Sequence, residues 1–187
     1  MNNILLDLDQ TLIAALSPDE LDEKKHSKKM KKFKYYNMDG DYTIFERPYL
    51  QEFLDYLFDK KNNFKVSVWT AASKDYALFI INNIILKKDK PERKLDFIFF
   101  SYHCSWSKHT KNGTKDLSML WDIYKIRGYS RDNTFIIDDY DEVKSTQPDN
   151  CIEIEPFEFH KKDSYNDDYL LKVIIPKLEK INIKNDL

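Results

Sequence analysis

Short apolar runs alternate along this chain with longer segments whose apolar residues recur every three or four positions. Ile4 to Leu8 is the first run, and it breaks into carboxylates, the pattern of a buried parallel strand whose carboxyl end opens onto a site. Leu50, Phe53, Leu54, Leu57 and Phe58 share one helical face, in a helix that Pro48 opens and Asn62-Asn63 closes. Val66 to Trp69 predicts a second strand, followed by the polar turn Thr70 to Ser73 and an apolar helix from about Asp75 to Lys87. Phe97 to Phe100 predicts a third strand, and Asp116 to Ile126 a helix that Gly128 ends. Phe135 to Ile137 is a fourth strand running straight into Asp138-Asp139, and Cys151 to Ile154 a fifth. Asp167 to Lys184 is helical in pattern, with Pro176 expected to kink it. Strands alternating with helices imply right-handed crossovers, hence an α/β fold with a parallel sheet covered on both faces.

One stretch breaks this rhythm. Ser17 to Lys34 is polar, acidic first and then lysine-rich, and reads as a solvated loop or exposed helix; its Lys24 to Lys34 part reads as a solvated, mobile segment rather than a clamp for an acidic tail or nucleic acid. Beyond it, Tyr35-Tyr36 and Tyr42 to Phe45 flank an Asp39-Gly40 turn, which reads as a hairpin. Residues 14–46 would thus form a small flap above the sheet edge.

At 187 residues and 42% apolar content, the chain suits one domain, residues 1–187, with one good core. Charges of both signs nearly cancel to -2, which argues against a general attraction to nucleic acid. Cys104 and Cys151 stand apart in no metal or disulfide pattern, the N-terminus lacks the features of a signal peptide, and no apolar run is long enough to span a membrane. The expectation is a soluble, intracellular protein with no membrane partner.

The chemistry lies where the strands end. Ligands of an open parallel sheet bind outside the carboxyl ends of its strands, so Asp7, Asp9, Thr70, Asp138 and Asp139 should converge. Within Asp7-Leu8-Asp9-Gln10-Thr11, alternation sends both carboxylates to one side. Carboxylates gathered in this way call for a hard divalent cation, and Mg²⁺ suits oxygen ligands. Lys115 and Thr70 add an ammonium and a hydroxyl, the donors a phosphoryl group needs as its charge redistributes. Each piece alone is commonplace, since an Asp-Asp pair after a strand is often a loop start or helix cap; their joint order is not. By contrast, His103, His109, Cys104 and Trp106 fit no metal pattern and read as structural.

These residues carry a resemblance to the haloacid dehalogenase superfamily, and within it to phosphatases of the RNA polymerase II C-terminal-domain and NLI-interacting-factor type. Asp7-Leu8-Asp9-Gln10-Thr11-Leu12 looks like the first motif of that family, Arg47-Pro48-Tyr49-Leu50-Gln51-Glu52-Phe53-Leu54 like its helix start, and Val68-Trp69-Thr70-Ala71-Ala72-Ser73 with Tyr76-Ala77 like its second motif. Lys115-Asp116-Leu117-Ser118 resembles the third motif, Ile136-Ile137-Asp138-Asp139 the fourth, and Gln147-Pro148-Asp149-Asn150 the segment beyond. The resemblance implies a three-layer, Rossmann-like α/β/α fold with no large cap and a two-step reaction. Asp7 would be the nucleophile that forms an aspartyl-phosphate, and Asp9 the proton donor and then acceptor. It further implies Mg²⁺ on Asp7, the Asp9 backbone carbonyl, and Asp139 with Asp138 assisting. Thr11, Thr70, Ala71 and Lys115 would bind the phosphate, and Tyr76 would touch the substrate, a phosphoserine or phosphothreonine protein or peptide. Where the family commonly has an arginine, this chain has Ser101.

Two other functions compete. A phosphatase of small molecules or nucleic-acid ends would keep the chemistry and usually carry a cap for which this flap is too small. A non-catalytic phosphoprotein-binding relative would most simply lack Asp7 or Asp9, and a receiver-like domain would need an aspartate after the third strand, where Ser101 stands.

Overall fold

The computed structural model describes residues 1–110 and 113–185. Its strands are β1 (Asn2–Leu6), β2 (Ile13–Leu16), β3 (Tyr35–Met38), β4 (Tyr42–Glu46), β5 (Phe64–Trp69), β6 (Ile98–Phe99), β7 (Thr134–Asp138) and β8 (Cys151–Glu153). Its α-helices are α1 (Glu23–Met30), α2 (Leu50–Phe58), α3 (Lys74–Ile80), α4 (Ser101–Ser107), α5 (Asp141–Thr146) and α6 (Ile175–Asn185). The five apolar runs form one parallel sheet in the order β6-β5-β1-β7-β8, with the first strand of the chain at its centre. Leu6 pairs with Val68 on one side and Ile137 on the other, so the three strand ends are level. The residues that follow therefore emerge together at one edge.

Alternating side chains fill both faces of the sheet. Ile4, Leu6, Val66, Val68 and Ile137 pack with residues of α2 and α3 and with Leu170, Ile174 and Leu178. Leu5, Trp69 and Ile136 point the other way, into a cluster with Cys104, Leu117, Leu120 and Val143. Continuous apolar strands are the consequence of that double covering. Cys104 and Cys151 are buried free thiols. Among the described residues, no helix is long and apolar enough to cross a membrane.

Three helices depart from their sequence periodicity. Tyr49 takes a left-handed φ of 61°, so α2 starts at Leu50 rather than at Pro48. The helix after Thr70 is regular only to Ile80 and then widens into a π-type turn over Ile81–Ile85. Asp116 to Ile126 is not a regular helix: Met119–Ile123 is another π-type turn, and Lys125, at φ 50°, ends it before Gly128 is reached. The segment from Asp167 is helical from Leu170, first as a π-type turn over Leu170–Ile174 and then directly as α6, so Pro176 lies inside a continuous helical run, where the wide turn gives way to the regular helix.

The flap has more order than its composition promised. β2, which the alternation did not reveal, pairs antiparallel with β4, and β4 pairs with β3. Asp39 and Gly40, both at positive φ, close the hairpin, and Asn37 Oδ1 accepts from the Gly40 N–H at 2.8 Å. The lysine-rich stretch is the helix α1 rather than a mobile segment. Asp22 caps it by accepting from the Lys25 N–H, and Leu21, Met30 and Phe33 pack against Phe45, Phe157 and Phe159. A few apolar residues at helical spacing were enough to order a run that is otherwise charged.

Candidate active site

Asp7 leaves the end of β1 buried, with its N–H donating to Ile137 O at 3.1 Å. The chain then reverses through Gln10, a non-glycine residue in the left-handed region at φ 59°. Such a conformation persists where the surroundings over-determine it. Here the Gln10 N–H donates to Ile13 O at 2.8 Å, Gln10 O accepts from the Phe157 N–H at 2.6 Å, and Leu8 O accepts from Leu12 and Ile13. Leu8 and Leu12 enter the core while Asp7 and Asp9 stay at the sheet edge.

Arg47 locks this loop from below. Its guanidinium is fully buried and donates to Thr11 O at 3.1 Å and Glu155 O at 2.9 Å, and it forms a two-pronged pair with Asp167 at 2.9 and 3.0 Å. Sequence reasoning placed Arg47 only in a helix-start motif; nothing local announces that it binds the loop after β1 to the C-terminal segment. Arg47→Ala should leave buried carbonyls and a half-buried carboxylate without a partner, at a cost of about 3 kcal/mol. For a domain of this size, thermal unfolding should then show a melting temperature lower by roughly 10 °C; an unchanged melting point would contradict this role.

Above the lock lies an acidic cluster around one ammonium. Lys115 Nζ donates to Asp7 Oδ1 at 2.5 Å and Asp138 Oδ2 at 2.6 Å, and both ion pairs are almost wholly buried. Burial alone would weaken the Lys115 charge, but Asp7 and Asp138 outweigh it and hold the ammonium well above its ordinary range. Thr11 Oγ1 lies 3.1 Å from Asp139 Oδ1 and 3.3 Å from Asp7 Oδ2, so its single proton serves a carboxylate in this geometry. One oxygen each from Asp7, Asp138 and Asp139 lies within 4.8 Å of the others. Asp138 and Asp139 are both pushed upward, first by burial and then by Asp7. One lysine thus leaves three carboxylates under-compensated, and an all-oxygen donor set of this kind fits a hard divalent cation.

Asp9 points elsewhere. Its side chain is outside that cluster, and its Oδ1 accepts from the Tyr76 hydroxyl at 2.5 Å. Burial raises its carboxyl to about 6, with Asp7 and Asp139 adding to the rise and Tyr76 and Lys115 opposing it. A carboxyl near neutrality can both give and take a proton. Beside it an open groove of about 740 Å³ runs between the flap and the turn after β5, lined by Asp9, Glu20, Tyr42, Ala72, Ser73 and Tyr76.

Thr70 is buried at the end of β5, and its Oγ1 accepts from the Ala72 N–H at 3.1 Å, which curls the turn through exposed Ala71. On the far side, Ser101 N–H donates to Ala72 O at 2.8 Å, so Ser101 helps shape the turn from β6. His103 stacks on Phe99 with ring centres 4.0 Å apart, in the structural role expected of it. Two further residues position Lys115, and sequence reasoning had singled out neither for that task. Gln147 donates to Lys115 O at 2.7 Å and accepts from the Leu117 N–H at 3.1 Å. Buried Ser107 accepts from the Asp116 N–H and donates to Gly113 O. A lone Ser gives no such signal in a sequence, and Gln147 was marked only as part of the segment beyond the fourth motif.

Comparison with known proteins identifies the family of the chain. Residues 2–187 match the family model described as NLI interacting factor-like phosphatase. The CTD phosphatase-like protein 355R of Invertebrate iridescent virus 6 is 46% identical over 177 residues, covering 92% of this chain and 95% of that protein. Its namesake in Invertebrate iridescent virus 3 is 47% identical over 175 residues, covering 91% of each. Among solved structures, the fission yeast RNA polymerase II CTD phosphatase Fcp1, bound to beryllium fluoride, matches with a TM-score of 0.56 at 17% identity. That alignment covers 98% of this chain and 51% of the Fcp1 chain, so it speaks to the fold.

Proposed function

Since this chain belongs to the NLI interacting factor-like phosphatase family, and so to the phosphatases of the haloacid dehalogenase type, we propose that it removes phosphate from phosphoserine or phosphothreonine in a protein. The reaction would pass through an aspartyl-phosphate on Asp7. The observation that carries this reading is the buried Lys115 ammonium clasped between Asp7 and Asp138, at the sheet edge where Thr70 and Asp9 also emerge.

In the first step an oxygen of Asp7 attacks phosphorus and the bond from phosphorus to the serine or threonine oxygen breaks. Asp9 gives its proton to that departing oxygen. In the second step Asp9 takes a proton from water as the water oxygen attacks phosphorus, and Asp7 is released with inorganic phosphate. Lys115 offers its ammonium to phosphoryl oxygens, and the Thr70 hydroxyl and the Ala71 backbone complete the cradle. Asp7, Asp138 and Asp139, with the Asp9 backbone carbonyl, would hold Mg²⁺, which when bound offsets the negative charge that carboxylates and phosphate bring together.

The open groove beside Asp9 favours a protein segment over a small metabolite, because nothing there encloses a free ligand. A panel of phosphoserine and phosphothreonine peptides, nucleotides and sugar phosphates, assayed with Mg²⁺, tests this reading. The peptides are expected to give the highest kcat/KM; faster turnover of the small phosphates would assign the site to metabolites.

A further inference from the structure

We propose that Tyr76 is a positioning residue: its hydroxyl pins one oxygen of Asp9 and so turns the other toward the oxygen leaving phosphorus. The inference rests on the reading of Asp9 as proton donor and acceptor given above. The Tyr76 hydroxyl donates to Asp9 Oδ1 at 2.5 Å. Tyr76 stands in the first turn of α3, which Ser73 caps by accepting the Tyr76 N–H at 3.4 Å. Its ring meets Tyr42 of the flap edge-on at 5.5 Å. The phenol is thereby held from the sheet side and from the flap side.

A phenol keeps its proton near neutral pH, so the Tyr76 hydroxyl remains a donor throughout the reaction. A carboxylic acid that accepts at Oδ1 carries its own proton on the other oxygen. That oxygen is the one left for the leaving group in the first step and for water in the second. Without the phenol, the broad terminal torsion of an aspartate lets the carboxyl rotate away. A proton donor misplaced by about 1 Å can lose on the order of 10²-fold in rate.

The test is Tyr76→Phe, which deletes the hydroxyl and keeps the ring, measured as kcat/KM on aryl phosphates of similar size and graded leaving-group acidity. Poor leaving groups need protonation and good ones do not. Turnover of phenyl phosphate is therefore expected to fall about 10–100-fold while p-nitrophenyl phosphate changes by less than about 3-fold, steepening the dependence on leaving-group acidity. An equal fall on every substrate, or a change in KM alone, would overturn the positioning role. Asp9→Asn in the same series separates the two levels of the claim. If Asp9→Asn turns over at the wild-type rate, the reading of Asp9 itself fails. If Asp9→Asn is slow but Tyr76→Phe keeps the wild-type slope, only the role given to Tyr76 fails.

Discussion

Asp7→Asn is expected to lower kcat/KM for p-nitrophenyl phosphate and for phosphopeptides by at least about 10⁴-fold while leaving a folded protein. An amide is close to isosteric with the carboxylate, but its nitrogen and its weakly basic oxygen do not attack phosphorus. The substitution also removes one of the two anions that clasp Lys115, so part of the loss is weaker orientation of the phosphate. The fold should survive, because Asp7 contributes its backbone N–H to the sheet through Ile137 O, and that bond is unchanged. Circular dichroism of the variant should overlay the wild type. Activity within about 10-fold of wild type would mean that another group, or water, attacks phosphorus.

Removal of divalent metal is expected to have the second largest effect, a loss of about 10³-fold or more in EDTA, reversed by added Mg²⁺. The cause is electrostatic. Asp7, Asp138 and Asp139 offer oxygens within 4.8 Å of one another, and Lys115 is the ammonium hydrogen-bonded among them. A phosphate dianion entering such a site meets repulsion that a single lysine does not cancel. Binding should be visible without turnover as well. A ligand at 100 times its Kd adds about 2.7 kcal/mol of stability, which for a domain of this size raises the melting temperature by roughly 5–10 °C. Full turnover in EDTA, together with a melting point indifferent to Mg²⁺, would contradict the metal site.

The parallel sheet was legible because its strands are apolar on both faces, and such runs stand out even in a chain rich in charge. The site was legible for a related reason: Asp7 and Thr70 directly follow a strand and Asp138 ends one, so topology alone brings them together. What escaped depended on contacts distant in sequence. β2 is a four-residue strand whose partner, β4, lies beyond the whole lysine-rich segment, and no local alternation marks it. The order of α1, left open between loop and exposed helix, was hidden by its lysines, because the apolar residues that tie it down, Leu21, Met30 and Phe33, are few and two of their partners, Phe157 and Phe159, lie near the other end of the chain. Arg47 stood only in a helix-start motif, and its partners Asp167 and Glu155 lie more than a hundred residues away. The direction of the Asp9 side chain likewise follows from Tyr76, a residue whose reach no spacing rule gives.

The most direct test of covalent catalysis is to quench the wild-type protein during turnover of a phosphorylated substrate, reduce it with borohydride, and locate the modified residue by mass spectrometry. Reduction converts an aspartyl-phosphate to homoserine, so the site of attachment is read from a mass change in one peptide. Homoserine at position 7, absent from Asp7→Asn and from protein quenched without substrate, is the expected result. A reduced residue at Asp138 or Asp139, or steady turnover with no aspartate modified, would contradict nucleophilic attack by Asp7.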